Sequence, residues 1–528
     1  MKKKTIPILT VCALIVIIVA IIGGSVLLRK YTPSKEHKDL TSYYNITADN
    51  QVAIVLNNEL TSSYATLIDG HIYVDYNFVH DTLNSRFYWD HNENILLYAT
   101  SRDLISAEAD SNKYLITKSS VDYGRPVVKA NSDSAYIDLD FVKEYTDLTY
   151  KYIKDPNRII ITNQWGDYET ASVKKNSTVR VKGGIKSPIL KDITETTDVT
   201  VIEQGDKWSK ILTADGIIGY VQNKRMSDIS TKTRTSDFTP DTFAHITKDF
   251  NICMAWHQVT NSSANANIAS VLSSTKGVNV ISPTWYSLYD NTGVVDGIAS
   301  PSYVQQAHAL GLEVWALIDD FTHREDNGVD PQEILSYTSK RTAIIEVLMS
   351  EADRCGFDGI NVDFEKVTED GSQDYIQFIR ELSVACRQKG LVLSVDNYVP
   401  HNYNAHYKWA EQGVMADYVI IMGYDEHWGG SEVAGSVASL GYVTEGIERM
   451  TQEVPSEKVI NAVPLYTRIW TTAEDGAVTS RAVGIQTAYD YMNKNQAAAT
   501  WDNSVGQNYV EFETSDGTVQ IWLEDEQS

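Results

Sequence analysis

The sequence has little cysteine, little positive charge and no metal-binding pattern. Its four cysteines are far apart, and Cys12 lies in an apolar run, so they predict no disulfide framework. The other three, Cys253, Cys355 and Cys386, are expected to be small buried hydrophobes. The formal net charge of −25 argues against nucleic acid or anionic lipid headgroups as partners. No C-x-x-C or H-x-E-x-H pattern occurs, so no metal or other cofactor is predicted.

The amino terminus predicts a membrane anchor. Ile6 to Leu28 is an uncharged apolar run of 23 residues. At about 1.5 Å per helical residue it can cross a hydrocarbon core of roughly 30 Å. Residues 1–30 are therefore expected to form a cytoplasmic tip and a single transmembrane helix, with the bulk of the chain outside the cell. A cleaved signal peptide is the alternative.

An internal repeat lies between residues 49 and 165, after a linker at 31–48. Ile72 to Val79 is echoed 63 positions later by Ala135 to Val142, and apolar pairs follow both copies at matching positions. Each copy predicts a strand, a short helix and a strand. The repeat resembles the small amino-terminal domain first described in copper amine oxidases. That resemblance implies a structural spacer and no copper chemistry.

Residues 169–226 predict a small β-barrel, because short alternating segments are separated by turn formers. The segment resembles a bacterial SH3 domain, in which a Trp such as Trp208 and a Gly-Tyr-Val strand such as the one containing Tyr220 are typical. The resemblance implies binding to cell-wall peptides. Both aromatic side chains could equally be core residues. Residues 227–244, rich in Ser, Thr and charge, predict a linker.

Residues 245–528 alternate β-rich apolar runs with helical stretches. The length of 528 residues already requires several folded units. Eight runs in this region predict a (β/α)8 TIM barrel, whose catalytic groups lie at the carboxyl ends of its strands. The runs are Ile252 to Val259, Val278 to Trp285, Leu312 to Ile318, Ile360 to Glu365, Leu391 to Tyr398, Tyr418 to Tyr424, Val459 to Tyr466 and Val519 to Leu523.

The predicted fold class is therefore α/β. A TIM barrel follows a small SH3-like β-barrel, an α+β repeat domain and a transmembrane helix. Only six residues follow Trp522, so the barrel domain is expected to lack the helix after its eighth strand.

The fourth run carries a polar ladder. Helically spaced apolar residues precede it and end at Gly356, which predicts a helix, a tight turn and a buried strand. Side chains alternate along a strand, so Ile360, Val362 and Phe364 would share one face while Asn361, Asp363 and Glu365 share the other. Acids in a buried strand are costly unless they line a site. Asp363 and Glu365 are expected to titrate jointly.

Two motifs in this region resemble those of glycoside hydrolase family 18, the chitinase-like enzymes. Asp358, Gly359, Asp363 and Glu365 match D-G-x-D-x-D-x-E, with Asn361 in place of the middle Asp. Met422, Tyr424 and Asp425 match M-x-Y-D at the end of the sixth run. In the eighth run, Trp522 stands where the family places a Trp under the sugar.

The resemblance implies a retaining glycosidase in which the acetamido oxygen of the substrate attacks the anomeric carbon. Glu365 would be the acid and base, Asp363 would hold the acetamido nitrogen, and Tyr424 would position that group. Other residues at strand ends, several of them aromatic, are predicted to contact the sugar: Asp358, Asn361, Met422, Asp425, Trp285, Asn397, Tyr466 and Trp522.

Within the family, the Ser282 to Trp285 stretch and Asn361 are similar to the spore-cortex and peptidoglycan N-acetylglucosaminidases. The predicted partners are an N-acetylglucosamine-containing polysaccharide, most simply peptidoglycan, the cell wall and, through residues 6–28, the cell membrane. Nucleic acid is not a predicted partner. Hydrolysis of chitin or chito-oligosaccharides is one alternative, and a catalytically weak carbohydrate-binding barrel is another.

Overall fold

The computed structural model describes residues 5–131, 134–273 and 275–528, and the chain divides into two compact units. The first unit comprises Met1–Phe87, Ala109–Lys113 and Asp122–Pro240. The second comprises Tyr88–Glu108, Tyr114–Val121 and Asp241–Ser528. The region predicted as one domain over 49–165 is therefore divided between the two units.

The first unit begins with the predicted apolar helix, which spans Thr5–Tyr31. Its segment Thr10–Tyr31 is long and apolar enough to cross a membrane, with a mean hydropathy of 3.1, although a signal sequence has the same properties. A short helix follows at Leu40–Tyr43. The predicted cytoplasmic residues Met1 to Lys4 lie outside the described residues.

The repeat region contributes a seven-stranded sheet to the first unit. Asp75 and Asp138 occupy the same position in the two copies, and each carboxylate accepts hydrogen bonds from backbone N–H groups at the start of the following helix. This shared cap explains why both copies turn from strand to helix. In sheet order the strands are Thr149–Ile153, Arg158–Thr162, Gln51–Leu56, Glu59–Ile68, His71–Asp75, Ala135–Asp138 and Val128–Ala130, and the helices are Tyr76–Phe78, Val79–Leu83 and Leu139–Glu144.

A second seven-stranded sheet of the first unit is antiparallel and encloses a small apolar core. Ser230–Arg234 pairs with Gly166–Ser172, so the region predicted as a linker over 227–244 contains a strand. In sheet order the strands are Ile189–Ile193, Ser177–Arg180, Ile218–Gln222, Trp208–Thr213, Asp198–Glu203, Gly166–Ser172 and Ser230–Arg234, and a 3₁₀ turn spans Asn223–Arg225.

In the second unit, seven parallel strands form the barrel sheet. Helices or helical turns connect them, as the alternating sequence pattern predicts. In order, the strands are Met254–His257, Val280–Leu288, Glu313–Asp319, Gly359–Asp363, Val392–Tyr398, Tyr418–Met422 and Val459–Ala462. The connecting segments contain a short strand, Val295–Gly297, and the helices Ala264–Asn267, Ile268–Leu272, Pro301–Ala309, Arg324–Asn327, Pro331–Leu335, Thr338–Cys355, Ser372–Lys389, Asn402–Tyr407, Trp409–Met415, Leu440–Glu453 and Ser456–Lys458.

The predicted eighth barrel strand is wrong. Gly517–Leu523 instead pairs antiparallel with Tyr466–Thr472 and Gln507–Thr514 in a separate five-stranded sheet. Among the described residues, the first and seventh barrel strands are the end strands of their sheet. The separate sheet also contains Val478–Gly484 and Thr500–Asp502, and the helix Ile485–Lys494 lies against it.

The strand that carries the polar ladder is Gly359–Asp363, and it is packed as predicted. Ile360, Val362 and Phe364 are at most 1% exposed and lie in the main core. The ring of Phe364 stacks on Phe378 of the helix Ser372–Lys389, with centroids 5.4 Å apart. The preceding helix Thr338–Cys355 ends at Gly356, which has a φ of +76°. One face of this strand is thus fixed by apolar packing, which leaves the other face to line the barrel interior.

Part of the repeat region belongs to the second unit. Its five-stranded sheet comprises Tyr88–Asp90, Ile95–Ala99, Leu104–Glu108, Lys113–Ile116 and Ser119–Asp122. Asp90 accepts hydrogen bonds of 2.6 Å from the backbone N–H and the hydroxyl of Thr338, the first residue of the helix before the ladder strand. Tyr88 donates to Asp374 at 2.6 Å, in the first turn of the next helix. The predicted boundary at residue 245 therefore leaves out residues that cap the barrel helices.

The cysteines only partly match the expectation. Cys355 and Cys386 are buried, and all three cysteines of the folded units are free thiols. Cys253 is exposed, since it comes immediately before the first barrel strand rather than within the core.

Candidate active site

Parallel pairing brings several carboxylates together at the carboxyl ends of neighbouring barrel strands. Asp363 pairs in register with Asp319 of the third strand, and Asn361 pairs with Ser394 of the fifth. Asp320 follows the third strand, and Asp396 lies near the end of the fifth. Because parallel strands end at the same edge of the sheet, these acids surround the motif strand.

Asn361 is fully buried, and its side-chain amide both accepts and donates hydrogen bonds. Its Oδ1 accepts hydrogen bonds from Trp256 Nε1 at 2.9 Å and from Ser282 Oγ at 3.2 Å. Its Nδ2 donates to Ser394 Oγ at 3.0 Å and to Asp396 Oδ1 at 2.8 Å. The carboxylate that the motif lacks at Asn361 is thus supplied by Asp396 on the neighbouring strand. Asn361 lies beneath the site and supports it.

Asp363 and Asp396 are buried acids with spare hydrogen-bonding capacity. Asp363 Oδ1 and Asp396 Oδ2 have no hydrogen-bond partner among the described residues. Burial raises the pKa of Asp363 well above its usual value, and the charges of Asp396 and then Glu365 raise it further. Burial also raises the pKa of Asp396, although the hydrogen bond from Asn361 opposes that change. Asp396 therefore has a larger effect than Glu365 on the pKa of Asp363, and the sequence-based expectation had considered only Glu365.

Glu365 lies two residues beyond the end of the motif strand, and its carboxylate is partly exposed. Its Oε2 accepts a hydrogen bond from Tyr398 Oη at 2.6 Å, and Lys366 Nζ lies 3.2 Å from the same oxygen. Burial and the bond to Glu365 raise the pKa of Tyr398, so its hydroxyl stays protonated and donates. Glu365 thus combines access to solvent with a fixed carboxylate.

An aromatic wall borders the acids. The ring of Tyr424 lies 6.4 Å from those of Trp256 and Tyr466 in edge-to-face contacts. Burial, followed by the charge of Asp396, raises the pKa of Tyr424, so this hydroxyl is a donor at neutral pH. The hydroxyl of Tyr466 donates to Asp425, which is exposed. Met422, the last residue of the sixth strand, is buried beneath this wall at 6% exposure.

Four predicted sugar contacts lie elsewhere. Asp358 precedes the motif strand at its amino end, where it accepts hydrogen bonds from His308 and from the Val314 backbone. Trp285 is 2% exposed, since its ring lies against that of Tyr303 and its Nε1 donates a hydrogen bond to Asn265 at 2.8 Å.

The other two are Asn397 and Trp522. Asn397 is buried and exchanges hydrogen bonds with Gln412. The ring of Trp522 lies against Tyr509 in the antiparallel sheet, with centroids 4.9 Å apart. The structure thus places Asp358, Trp285 and Asn397 in contacts with other residues of the protein and Trp522 in the separate sheet, and a sugar contact by any of them stays a prediction.

Comparison with known proteins identifies the carboxy-terminal part of the chain. Residues 327–528 match the sequence model of glycosyl hydrolases family 18. This part of the chain is a family 18 domain. Residues 54–161 match the copper amine oxidase N-terminal domain, as their repeat predicted.

Curated relatives include the cortical fragment-lytic enzyme of Bacillus subtilis (strain 168), which is 27% identical over 205 residues, 36% of this chain and 46% of that protein. The enzyme of the same name from Bacillus anthracis is 24% identical over 204 residues, 37% of this chain and 47% of that protein. The chain spans about half the length of the curated relatives it matches. Among solved structures, the Bacillus cereus spore cortex-lytic enzyme SleL gives a TM-score of 0.47 at 17% identity, covering 56% of this chain and 69% of that one.

Sequence reasoning missed several residues of the candidate site. Asp319 and Asp320 directly follow the third predicted strand, and Asp396 interrupts the apolar fifth strand. Acids at carboxyl ends of barrel strands were therefore visible as a pattern. Trp256 and Tyr398 had no comparable signal, since an aromatic residue at a strand end is as often core as surface.

The site consists of carboxyl and hydroxyl side chains that can exchange protons and form hydrogen bonds. Among the described residues, no group of three or more His, Cys, Asp or Glu side chains is arranged to hold a metal ion. A cluster with one partly exposed carboxylate, one buried acid with an unpaired oxygen and a neighbouring tyrosine donor can transfer protons and bind a polar group of a ligand.

Proposed function

We propose that the protein is a retaining glycosidase that cleaves β-linked N-acetylglucosamine polymers, with the acetamido oxygen of the substrate as nucleophile. The observation that carries the proposal is the pairing of a reachable Glu365 with a buried Asp363 whose Oδ1 is unpaired. A family 18 domain with both residues in place supports it.

In this mechanism Glu365 protonates the leaving oxygen and then deprotonates the attacking water. Tyr398 Oη donates to Glu365 Oε2 and therefore keeps the carboxyl in one orientation through both steps. A proton held by the Asp363 and Asp396 pair leaves one negative charge beneath the sugar. That charge would stabilise the positive oxazolinium intermediate, while the Asp363 carboxylate binds the acetamido N–H.

Peptidoglycan is the proposed polymer. The relatives named cortical fragment-lytic enzyme and the amino-terminal apolar helix both favour a substrate in the cell envelope. In this proposal the helix Thr5–Tyr31 holds the chain in the cell membrane with the family 18 domain outside. The SH3-like sheet would bind the wall.

The test is an assay of the full-length protein in detergent on peptidoglycan and on chitin oligomers in parallel. We expect new reducing ends with N-acetylglucosamine at the cleaved position from peptidoglycan, and slower release from chitin. Faster cleavage of chitin would replace peptidoglycan as the substrate, and binding of both polymers without cleavage would support a carbohydrate-binding barrel instead. Analysis of the amino terminus of the cell-associated protein separates an anchor from a cleaved signal peptide.

A further inference from the structure

We propose that Asp320 is a positioning residue that holds the backbone of Glu365 in place for proton transfer. The inference rests on the proposed role of Glu365 and deepens it. It concerns a residue outside both sequence motifs, on a different barrel strand from the acid that it positions.

The backbone at Glu365 lies beyond the support of the sheet. The motif strand ends at Asp363, whose partner in the third strand is Asp319, the last residue of that strand. Neighbouring strands therefore no longer hold the amide groups that follow. A residue outside a ladder has soft φ and ψ angles unless other groups bind its backbone, and a displacement of about 1 Å can cost roughly 100-fold in rate.

The side chain of Asp320 accepts the hydrogen bonds that a neighbouring strand no longer provides. Oδ1 accepts a hydrogen bond from the N–H of Glu365 at 2.9 Å, and Oδ2 accepts one from the N–H of Lys366, also at 2.9 Å. Both carboxylate oxygens are therefore occupied by consecutive amides. The side chain is 0% exposed, so water does not compete for these bonds.

The two hydrogen bonds at Asp320 require a particular kind of side chain. The N–H groups of Glu365 and Lys366 bind different oxygens, and among side chains of this size only an ionised carboxylate offers two acceptor oxygens. Asn in the same place would set its NH₂ group against one of the amide N–H groups. The two hydrogen bonds favour the ionised form of Asp320, whereas burial raises its pKa to about 7.

Asp417 provides a matched control. It is also buried, at 3% exposure, and its two carboxylate oxygens accept hydrogen bonds from the backbone N–H groups of Ile246 at 2.8 Å and Leu393 at 2.9 Å. It precedes the sixth barrel strand, so it lies at the amino end of the strands, opposite the acid cluster. The variant Asp417→Asn therefore removes a buried carboxylate from two backbone amides without touching the backbone of Glu365.

The experiment compares Asp320→Asn with Asp417→Asn in the full-length protein on the polymer that it cleaves. We expect Asp320→Asn to lower kcat by about 10-fold or more with KM within about twofold, because the substrate-binding groups are unchanged. Asp417→Asn should change kcat by less than about threefold. Equal kcat values for the two variants, or a loss confined to KM, would overturn the inference.

A double variant separates positioning from a general structural defect. If Asp320 acts through Glu365, adding Asp320→Asn to Glu365→Gln should leave the residual rate unchanged, whereas independent effects would multiply. A further tenfold loss in the double variant overturns the inference. Should Asp320→Asn fail to fold, Asp320→Glu keeps two acceptor oxygens on a longer side chain and is expected to fold with reduced kcat. Wild-type kcat in Asp320→Glu would also overturn it.

The result also distinguishes this inference from the proposed function. Near-normal activity of Glu365→Gln would reject the proposed function itself. An inactive Glu365→Gln together with an Asp320→Asn variant no slower than Asp417→Asn would reject only the role of Asp320.

Discussion

Two groups of buried charge in the second unit differ in how their hydrogen bonds are used. At the outer helices, Arg341 is fully buried and binds Glu381 at 3.0 Å, with its remaining N–H groups on Leu335, Thr338 and Tyr88. At the barrel end, Asp363 and Asp396 each keep an oxygen without a partner in the described part of the chain. The first group is saturated and stabilises the helices. The second is not saturated, and burial raises the pKa values of its acids.

The largest expected effect is on the saturated group. Arg341→Met leaves the buried Glu381 without its countercharge and should lower the free energy of unfolding by about 3–5 kcal/mol. Thermal and denaturant unfolding of the second unit would measure it. The control is Arg449→Met, which breaks the exposed pair between Arg449 and Glu445 and should cost less than about 1 kcal/mol. Equal losses in the free energy of unfolding for the two variants would show that the buried pair stabilises the protein no more than the exposed pair does.

The unsaturated group should respond in activity rather than in stability. Glu365→Gln keeps the size of the side chain but removes the acid, so turnover should fall by roughly 100-fold or more while glycan binding is kept. Polymer binding and the unfolding midpoint should match wild type. Glu453→Gln, at an exposed helix end, serves as the control. Turnover close to wild type in Glu365→Gln would remove Glu365 from the chemistry.

Features that depend on residues close together in the sequence could be predicted, whereas features that depend on residues far apart in the sequence could not. The two faces of the motif strand and the helix that ends at Gly356 follow from local periodicity, and both are confirmed. The eighth strand was predicted wrongly, and its burial pattern shows the reason. Val519, Ile521 and Leu523 are buried, whereas Gln520 and Trp522 are partly exposed. Such alternation is typical of antiparallel sheets rather than of a barrel core.

Other features of the site depend on contacts that no local pattern contains. Trp285 is buried because its ring lies against Tyr303 and its Nε1 donates to Asn265, and both partners belong to other elements of the chain. The link between Asn361 and Asp396 joins residues 35 positions apart. Asp90, which caps the helix starting at Thr338, lies 248 positions before it. A single sequence carries no signal for pairings at that distance.

The cap at Thr338 offers an intermediate test of the saturated group. Asp90 is fully buried and accepts four hydrogen bonds, two of them from Thr338. Asp90→Ala should lower the free energy of unfolding by about 2 kcal/mol, since loss of a helix cap costs roughly 0.5–2 kcal/mol. Asp90→Asn keeps one acceptor oxygen and should cost less. No difference between Asp90→Ala and wild type would mean that the helix needs no cap from this sheet.

The last effect concerns pH and the buried acids at the barrel end. Burial raises the pKa of Asp320 to about 7 and also raises that of Asp396, so the folded protein binds protons that the unfolded chain releases. The stability from these acids is complete below their unfolded pKa of about 4 and is lost as pH rises through about 7. Between pH 5 and pH 8 we therefore expect the free energy of unfolding to fall. Asp396→Asn should flatten that dependence, and stability that rises with pH in wild type would contradict the assignment.

The central claim is that the carboxylate of Asp363 binds the acetamido group of the substrate. The most direct measurement is the affinity of a stable thiazoline mimic of the cyclic intermediate for the wild-type protein and for Asp363→Ala, by calorimetric titration. Mimics of intermediates bind more tightly than substrates, so we expect tight binding to wild type and a sharp loss in Asp363→Ala. Equal affinity for both proteins, or a sugar trapped covalently on a carboxylate of the protein, would contradict substrate-assisted catalysis at this site.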